Sequence, residues 1–187
     1  MGPLDVVPVL NRAKISFVLV GAYGLASWRK EGRATEDVDL VVALKQLKKA
    51  TRVLCDAFPQ LEALDLPVVV RLRDRETQEY VIDLMKPVQQ PYCEVFKHTK
   101  TITDGKHRYR IPSLEMAMAM KFSAMVSPYR AADDKHRDAH DFIRIVKNNP
   151  QFDREKLAEI CSLVYSDGGK EALEMARQAL AGETIVL

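Results

Sequence analysis

Two aspartates, Asp37 and Asp39, stand two positions apart in a run otherwise made of strand formers: Val38, Leu40, Val41 and Val42. Side chains alternate faces along a strand, so residues i and i+2 share a face, about 7 Å apart along the backbone. Like charges held that close repel, and a fold tolerates them mainly when a cation or a proton lies between them. Mg²⁺ (or Mn²⁺) is the natural cation for clustered carboxylates beside a phosphate. The other reading of the pair is a salt-bridged surface strand. Upstream, Val20-Gly21-Ala22-Tyr23-Gly24 reads as a strand end, a glycine turn and a helix start. A helix N-terminus offers free N–H donors to a phosphate, and glycine lets backbone approach a ligand closely. The stretch fits neither the G-x-G-x-x-G dinucleotide pattern nor the G-K-[ST] of a P-loop. Taken alone it reads equally well as a plain strand-to-helix turn.

A third carboxylate, Asp83, stands late in the apolar stretch Glu79-Tyr80-Val81-Ile82-Asp83-Leu84-Met85. Strict alternation puts Tyr80, Ile82 and Leu84 on one face and Glu79, Val81 and Asp83 on the other. A buried aspartate without partners is costly. Placed beside the Asp37/Asp39 strand, Asp83 completes a three-acid cluster. Three such groups can hold two Mg²⁺ ions about 4 Å apart, the arrangement used for in-line phosphoryl or nucleotidyl displacement. The plainer reading of Asp83 is a polar residue at a strand end.

Lys121 is the other informative position. Its neighbours one helical turn away are Ala117, Met118, Ala124 and Met125, in a segment apolar nearly all round. A lysine there snorkels, pairs with a distant carboxylate, or faces a ligand phosphate. Asp138 flanks the core face of the next helix, where it can pair with Lys121 or Arg33 and tie the helical tail to the core. His136 and His140 are four apart, but no glutamate follows His136, so the H-E-x-x-H zinc pattern is missing and an exposed pair is expected. Arg71, Arg73 and Arg75 alternate, as do Arg108 and Arg110. Each set reads as the wet face of a sheet or as a guide for a phosphate-bearing acceptor.

The elements that must position these groups follow from periodicity. Helices are expected over 4–14, 22–30 (stopped by Gly32), 45–58, 113–126, 133–147, 153–165 and 169–181. Strands are expected over 15–20, 37–43, 67–73 and 78–85, the last two as a hairpin turning through 74–77. A second hairpin spans 100–103 and 108–111 around Asp104-Gly105. The expected fold is α/β (α+β), a small mixed sheet flanked by helices. An α/β core would occupy 1–112 and a helical tail packed on it 113–187.

The composition is that of an ordinary globular chain, with 28 Lys and Arg against 26 Asp and Glu among 187 residues. That balance offers no field for strong non-specific nucleic-acid binding. No apolar run is long enough for a membrane span, and Met1-Gly2-Pro3-Leu4-Asp5 lacks the basic stretch and long apolar run expected of a signal peptide. Cys55, Cys93 and Cys161 are few and far apart, which suits a reduced cytoplasm and excludes a zinc knuckle.

Together these residues resemble the nucleotidyltransferase superfamily that includes DNA polymerase β, and most closely its AbiEii-type abortive-infection toxins of toxin–antitoxin systems. The resemblance is carried by Val20-Gly21-Ala22, by Arg33-Ala34-Thr35-Glu36-Asp37-Val38-Asp39 and by Asp83. It continues through Pro112-Ser113-Leu114-Glu115, Lys121 and Arg137-Asp138-Ala139-His140-Asp141. It implies a metal-dependent nucleotidyltransferase with Asp37, Asp39 and Asp83 as metal ligands and catalytic groups. Gly21, Ala22, Arg33, Thr35 and Lys121 would contact the NTP. The acceptor would be a tRNA 3′ end, a protein side chain or a small molecule such as an aminoglycoside, and an antitoxin protein is the implied partner. The one departure is Ala22, where the family has Gly or Ser. A serine hydroxyl there would reach a terminal phosphate and a methyl group does not, which keeps a catalytically silent binding protein as the alternative.

Overall fold

The computed structural model describes residues 1–30, 35, 37–105 and 107–185. The chain divides into two compact units, Met1–Ala26 with Gly32–Pro112, and Ser27–Glu31 with Ser113–Leu187.

The first unit opens with α1 (Pro3–Arg12), a helix with Pro3 in its first turn, where the missing N–H costs nothing. Then come β1 (Phe17–Leu19), α2 (Gly21–Arg29) and β2 (Val38–Val42). A 3-10 turn over Leu44–Gln46 leads into α3 (Leu47–Ala57), so the helix expected over 45–58 begins two residues late. Next are β3 (Leu61–Asp65), β4 (Val69–Asp74) and β5 (Tyr80–Met85). A 3-10 segment, Tyr92–Lys97, precedes the hairpin of β6 (Thr99–Asp104) and β7 (His107–Pro112).

Five strands form a mixed sheet in the order β1-β2-β5-β4-β3. Only β2 and β5 run parallel; every other pair is antiparallel. Val38, Leu40, Leu72, Ile82 and Leu84 are completely buried and fix the inward face of the three central strands. Each such side chain contributes about 1.5–3 kcal/mol by leaving water. Strand β3 was not expected. Its residues Leu61, Glu62, Ala63, Leu64 and Asp65 favour helix or coil over strand. Main-chain pairing with β4 along the sheet edge overrides that preference.

The second unit is helical: α4 (Leu114–Val126), α5 (Ala132–Asn148), α6 (Arg154–Ser162) and α7 (Gly168–Ala181). Ser113 caps α4 by accepting a hydrogen bond from the Met116 amide at 3.4 Å. Met116, Ala117, Met118, Ala119, Phe122 and Met125 are buried, which is the reason for the all-round apolar character of α4. The last residues of α2 group with this unit. Asn148 and Asn149 donate to the carbonyls of Arg29 and Trp28 at 2.5 and 2.7 Å, satisfying acceptors that end a helix without intrahelical partners. No described helix is long and apolar enough to cross a membrane.

Candidate active site

Strand β2 brings Asp39 out on the face opposite the core, while Val38 and Leu40 point inward. The parallel register sets Asp39 directly beside Asp83 of β5. Asp37, just before β2, joins them. One carboxylate oxygen from each of Asp37, Asp39 and Asp83 lies within 4.8 Å of the other two, and all three residues are half-buried. The register is what makes the cluster, since a slip of one residue would send Asp83 into the core.

Local structure holds each acid in place. The Thr35 hydroxyl donates to Asp37 Oδ1 at 2.5 Å. The Val20 amide donates to the Asp39 carbonyl at 2.9 Å, tying the glycine turn to the carboxylate strand. Gly21 follows with φ +56°, and a Cβ on it would stand 1.8 Å from Asp39 Oδ2. Only glycine fits there, for both backbone and space. Gly24, a helical turn further on, is also needed for space: a Cβ would meet the Leu19 carbonyl oxygen at 2.2 Å, so its absence lets α2 lie against β1. Ala22 is buried.

Burial pushes the Asp83 carboxyl above the usual aspartate range, Arg71 pulls it back down, and Asp37 pushes it up again. Arg71 Nε lies 3.4 Å from Asp83 Oδ2, and the Arg71 guanidinium stands 4.9 Å over the Tyr80 ring. Asp83 Oδ1 is buried and accepts no hydrogen bond. Three converging carboxylates, one of them with an orphaned oxygen, match the all-oxygen donor set that a hard divalent cation requires.

Tyr80 departs from the expected alternation. Pairing between β4 and β5 runs Arg71 to Asp83 and Leu72 to Ile82, then skips Val81 and resumes at Arg73 and Tyr80. This bulge re-aims Tyr80 from the Ile82 and Leu84 side to Arg71. A plain turn through 74–77 would have set Arg71 opposite Tyr80. The turn that forms is longer, with the Asp74 amide donating to the Glu79 carbonyl at 2.9 Å, and the bulge shifts the register by one more residue. No local sequence signal announces that shift.

Lys121 lies in the second unit, where its Nζ is 2.7 Å from Asp138 Oδ1 and 2.8 Å from Asp141 Oδ2. Arg29 Nε lies 3.2 Å from Asp141 Oδ1, and Arg130 pairs with Asp138 at 2.5 Å. Asp138 meets Lys121, as its position suggested. The pairing of Arg29 with Asp141 was not read from the sequence; both are buried, and only α2 and α5 packing in one unit brings them together. Arg33 lies outside the described residues. His136 and His140 are exposed. Arg73 pairs with Glu62 at 2.6 Å.

A mixed sheet with a glycine turn under an acidic pair on neighbouring strands defines a nucleotidyltransferase fold, and solved structures agree. An antigenic nucleotidyltransferase-like protein from Paracoccidioides brasiliensis superposes with TM-score 0.58 at 17% identity, over 98% of this chain and 93% of that one. ANT(2")-Ia, solved in complex with adenylyl-2"-tobramycin, gives TM-score 0.56 at 11% identity over 96% and 95%. The lincosamide antibiotic adenylyltransferase LnuA, lincomycin-bound, gives 0.52 at 16% identity over 76% and 94%. None of the curated proteins compared with the chain matches it. The model of the nucleotidyl transferase AbiEii toxin family, of type IV toxin–antitoxin systems, matches residues 9–185, and the chain belongs to that family.

Proposed function

We propose that this protein transfers a nucleoside monophosphate from an NTP to an acceptor hydroxyl and releases pyrophosphate, with Asp37, Asp39 and Asp83 as its catalytic centre. The observation that carries the reading is the convergence of the three carboxylates within 4.8 Å beside Gly21. Asp37, Asp39 and Asp83 would hold Mg²⁺ or Mn²⁺. Bound there, the cation would lower the pKa of the acceptor hydroxyl and neutralise charge on the triphosphate.

The residues of the chain have separable tasks. Asp83, whose burial raises its proton affinity, takes the proton from the acceptor oxygen as that oxygen bonds to the α-phosphorus. Amides at the start of α2, from Gly21 and Ala22 onward, receive the triphosphate. Thr35 acts through Asp37, whose carboxylate it orients. Lys121 is a phosphate ligand in this reading, as the resemblance implies. Arg33 keeps the nucleotide-binding role that the resemblance gives it. A toxin role, with an antitoxin protein as partner, follows from the family.

Incubation with each α-labelled NTP and either total RNA or a protein extract tests the proposal. Label should transfer in Mg²⁺ and vanish in Asp39→Ala; transfer that survives the substitution rejects this site. Ala22 favours a second reading, a silent relative that only binds. Calorimetry that finds no NTP binding with Mn²⁺ present would support it.

A further inference from the structure

We propose that Arg71, stacked on Tyr80, holds an anionic group of the acceptor beside Asp83, so that the acceptors of this protein carry a phosphate near the hydroxyl that is modified. This rests on the nucleotidyl-transfer reading above and extends it to the acceptor side. Asp83 receives the acceptor proton in that reading, so the acceptor oxygen must come within hydrogen-bond reach of it. Arg71 is 3.4 Å from the same carboxylate and therefore flanks the acceptor.

The neighbouring arginines are accounted for. Arg73 is matched by Glu62 at 2.6 Å, and Arg75 Nε donates to the Leu61 carbonyl at 3.4 Å. Arg71 instead shares its counter-ion with the candidate metal site, and its Nε makes no hydrogen bond. When a divalent cation takes up the charge of Asp83, Arg71 keeps a full positive charge without its partner. Its side chain is 41% exposed, so an incoming anion can reach it. A guanidinium stacked by one face on an aromatic ring keeps its in-plane donors directed outward, the geometry that binds phosphate through two hydrogen bonds. The bulge in β5 is what lets Asp83 and Tyr80 both lie on the Arg71 face. An acceptor that is cationic at this point would be repelled.

The test uses the full chain with its donor site filled by an α,β-methylene NTP. Binding of 5′-AMP, adenosine and a fluorescein-labelled RNA trinucleotide is measured for Arg71→Ala, Arg71→Lys and Arg73→Ala. Arg71→Ala should weaken the phosphate-bearing probes about tenfold or more and leave adenosine unchanged. Arg71→Lys should recover some of the loss, and Arg73→Ala should match the unmodified protein. Weakening of the trinucleotide alone identifies a strand end as the source of the phosphate; weakening of both extends it to free phosphorylated compounds.

Mn²⁺ titration of the donor-free chain supplies the second readout. Arg71 and the metal compete for Asp83, so Arg71→Ala should bind Mn²⁺ about tenfold tighter. Unchanged phosphate binding, an equal loss for adenosine, or weaker Mn²⁺ binding would reduce Arg71 to a structural brace and overturn the proposal. Were the unmodified chain to bind neither Mn²⁺ nor NTP, the transfer reading itself would fall, whereas intact Mn²⁺ and NTP binding with an indifferent Arg71→Ala removes this inference alone.

Discussion

Each of the two units carries a cluster of charged side chains, and the clusters are built on opposite terms. In the first unit three carboxylates converge, Arg71 approaches one of them, and an oxygen of Asp83 stays without a hydrogen bond. In the second unit Asp138 and Asp141 sit among Lys121, Arg29 and Arg130, each acid meeting two cations. The first cluster stores repulsion that a divalent cation would relieve; the second is already compensated. Removing a charge should therefore have opposite consequences for stability in the two places.

The largest effect belongs to the first cluster and to rate. Asp83→Asn keeps the shape and loses the base, and label transfer should fall by about 10²–10⁴-fold with the fold intact by circular dichroism. In the second cluster Asp141→Ala leaves the buried Arg29 and the half-buried Lys121 without this partner. Urea unfolding should report a loss of about 3–5 kcal/mol, and a loss below 1 kcal/mol would mean that the two cations find other partners.

Gly21→Ala probes the contact between turn and carboxylate. Its positive φ and the 1.8 Å clash with Asp39 should cost about 1–3 kcal/mol and weaken Mn²⁺ binding, both read on the same preparation. Asp37→Asn should do the reverse for stability. It keeps an acceptor for Thr35 and removes one of three like charges, so the metal-free protein should gain about 1 kcal/mol while Mn²⁺ binds less well. A destabilised Asp37→Asn would refute the contrast between the clusters.

The smallest effect is a pH slope. The carboxyl of Asp83 is raised in the folded chain, so between the ordinary aspartate range and that higher value the folded state binds more protons than the unfolded state. The Asp83 contribution to stability is then present in full at low pH and is lost as pH rises through that window. Urea midpoints of the metal-free protein across mildly acidic pH should decline relative to Asp83→Asn, and saturating Mg²⁺ should move the decline to lower pH.

Much of the site was legible because its chemistry is local. Asp37, Asp39 and Gly21 could be read from strand alternation and from the rarity of a strand–glycine–helix junction before paired acids. Ser113 was legible as a helix start, and the apolar girth of α4 marked Lys121 as a cation that snorkels, pairs with a distant carboxylate or faces a ligand. The identity of that partner was only half legible: Asp138 flanked the right face, but Asp141 lay further round α5, and nothing in its neighbourhood pointed to Arg29 on α2. Strand β3 was missed because its residues prefer other structures and only pairing with β4 holds it extended.

The sequence by itself determined which side chains share a face within one strand or one helix, since the period of each element is fixed by backbone sterics. It thus set the acidic pair, the glycine turn and the family motifs in order along the chain. Tertiary structure decided the parallel register that lays Asp83 beside Asp39, and the bulge that brings Asp83 and Tyr80 to one face with Arg71. Register between strands depends on how whole hydrophobic faces pack and on how long a turn becomes. That information is spread over many residues and is written in no single stretch of them.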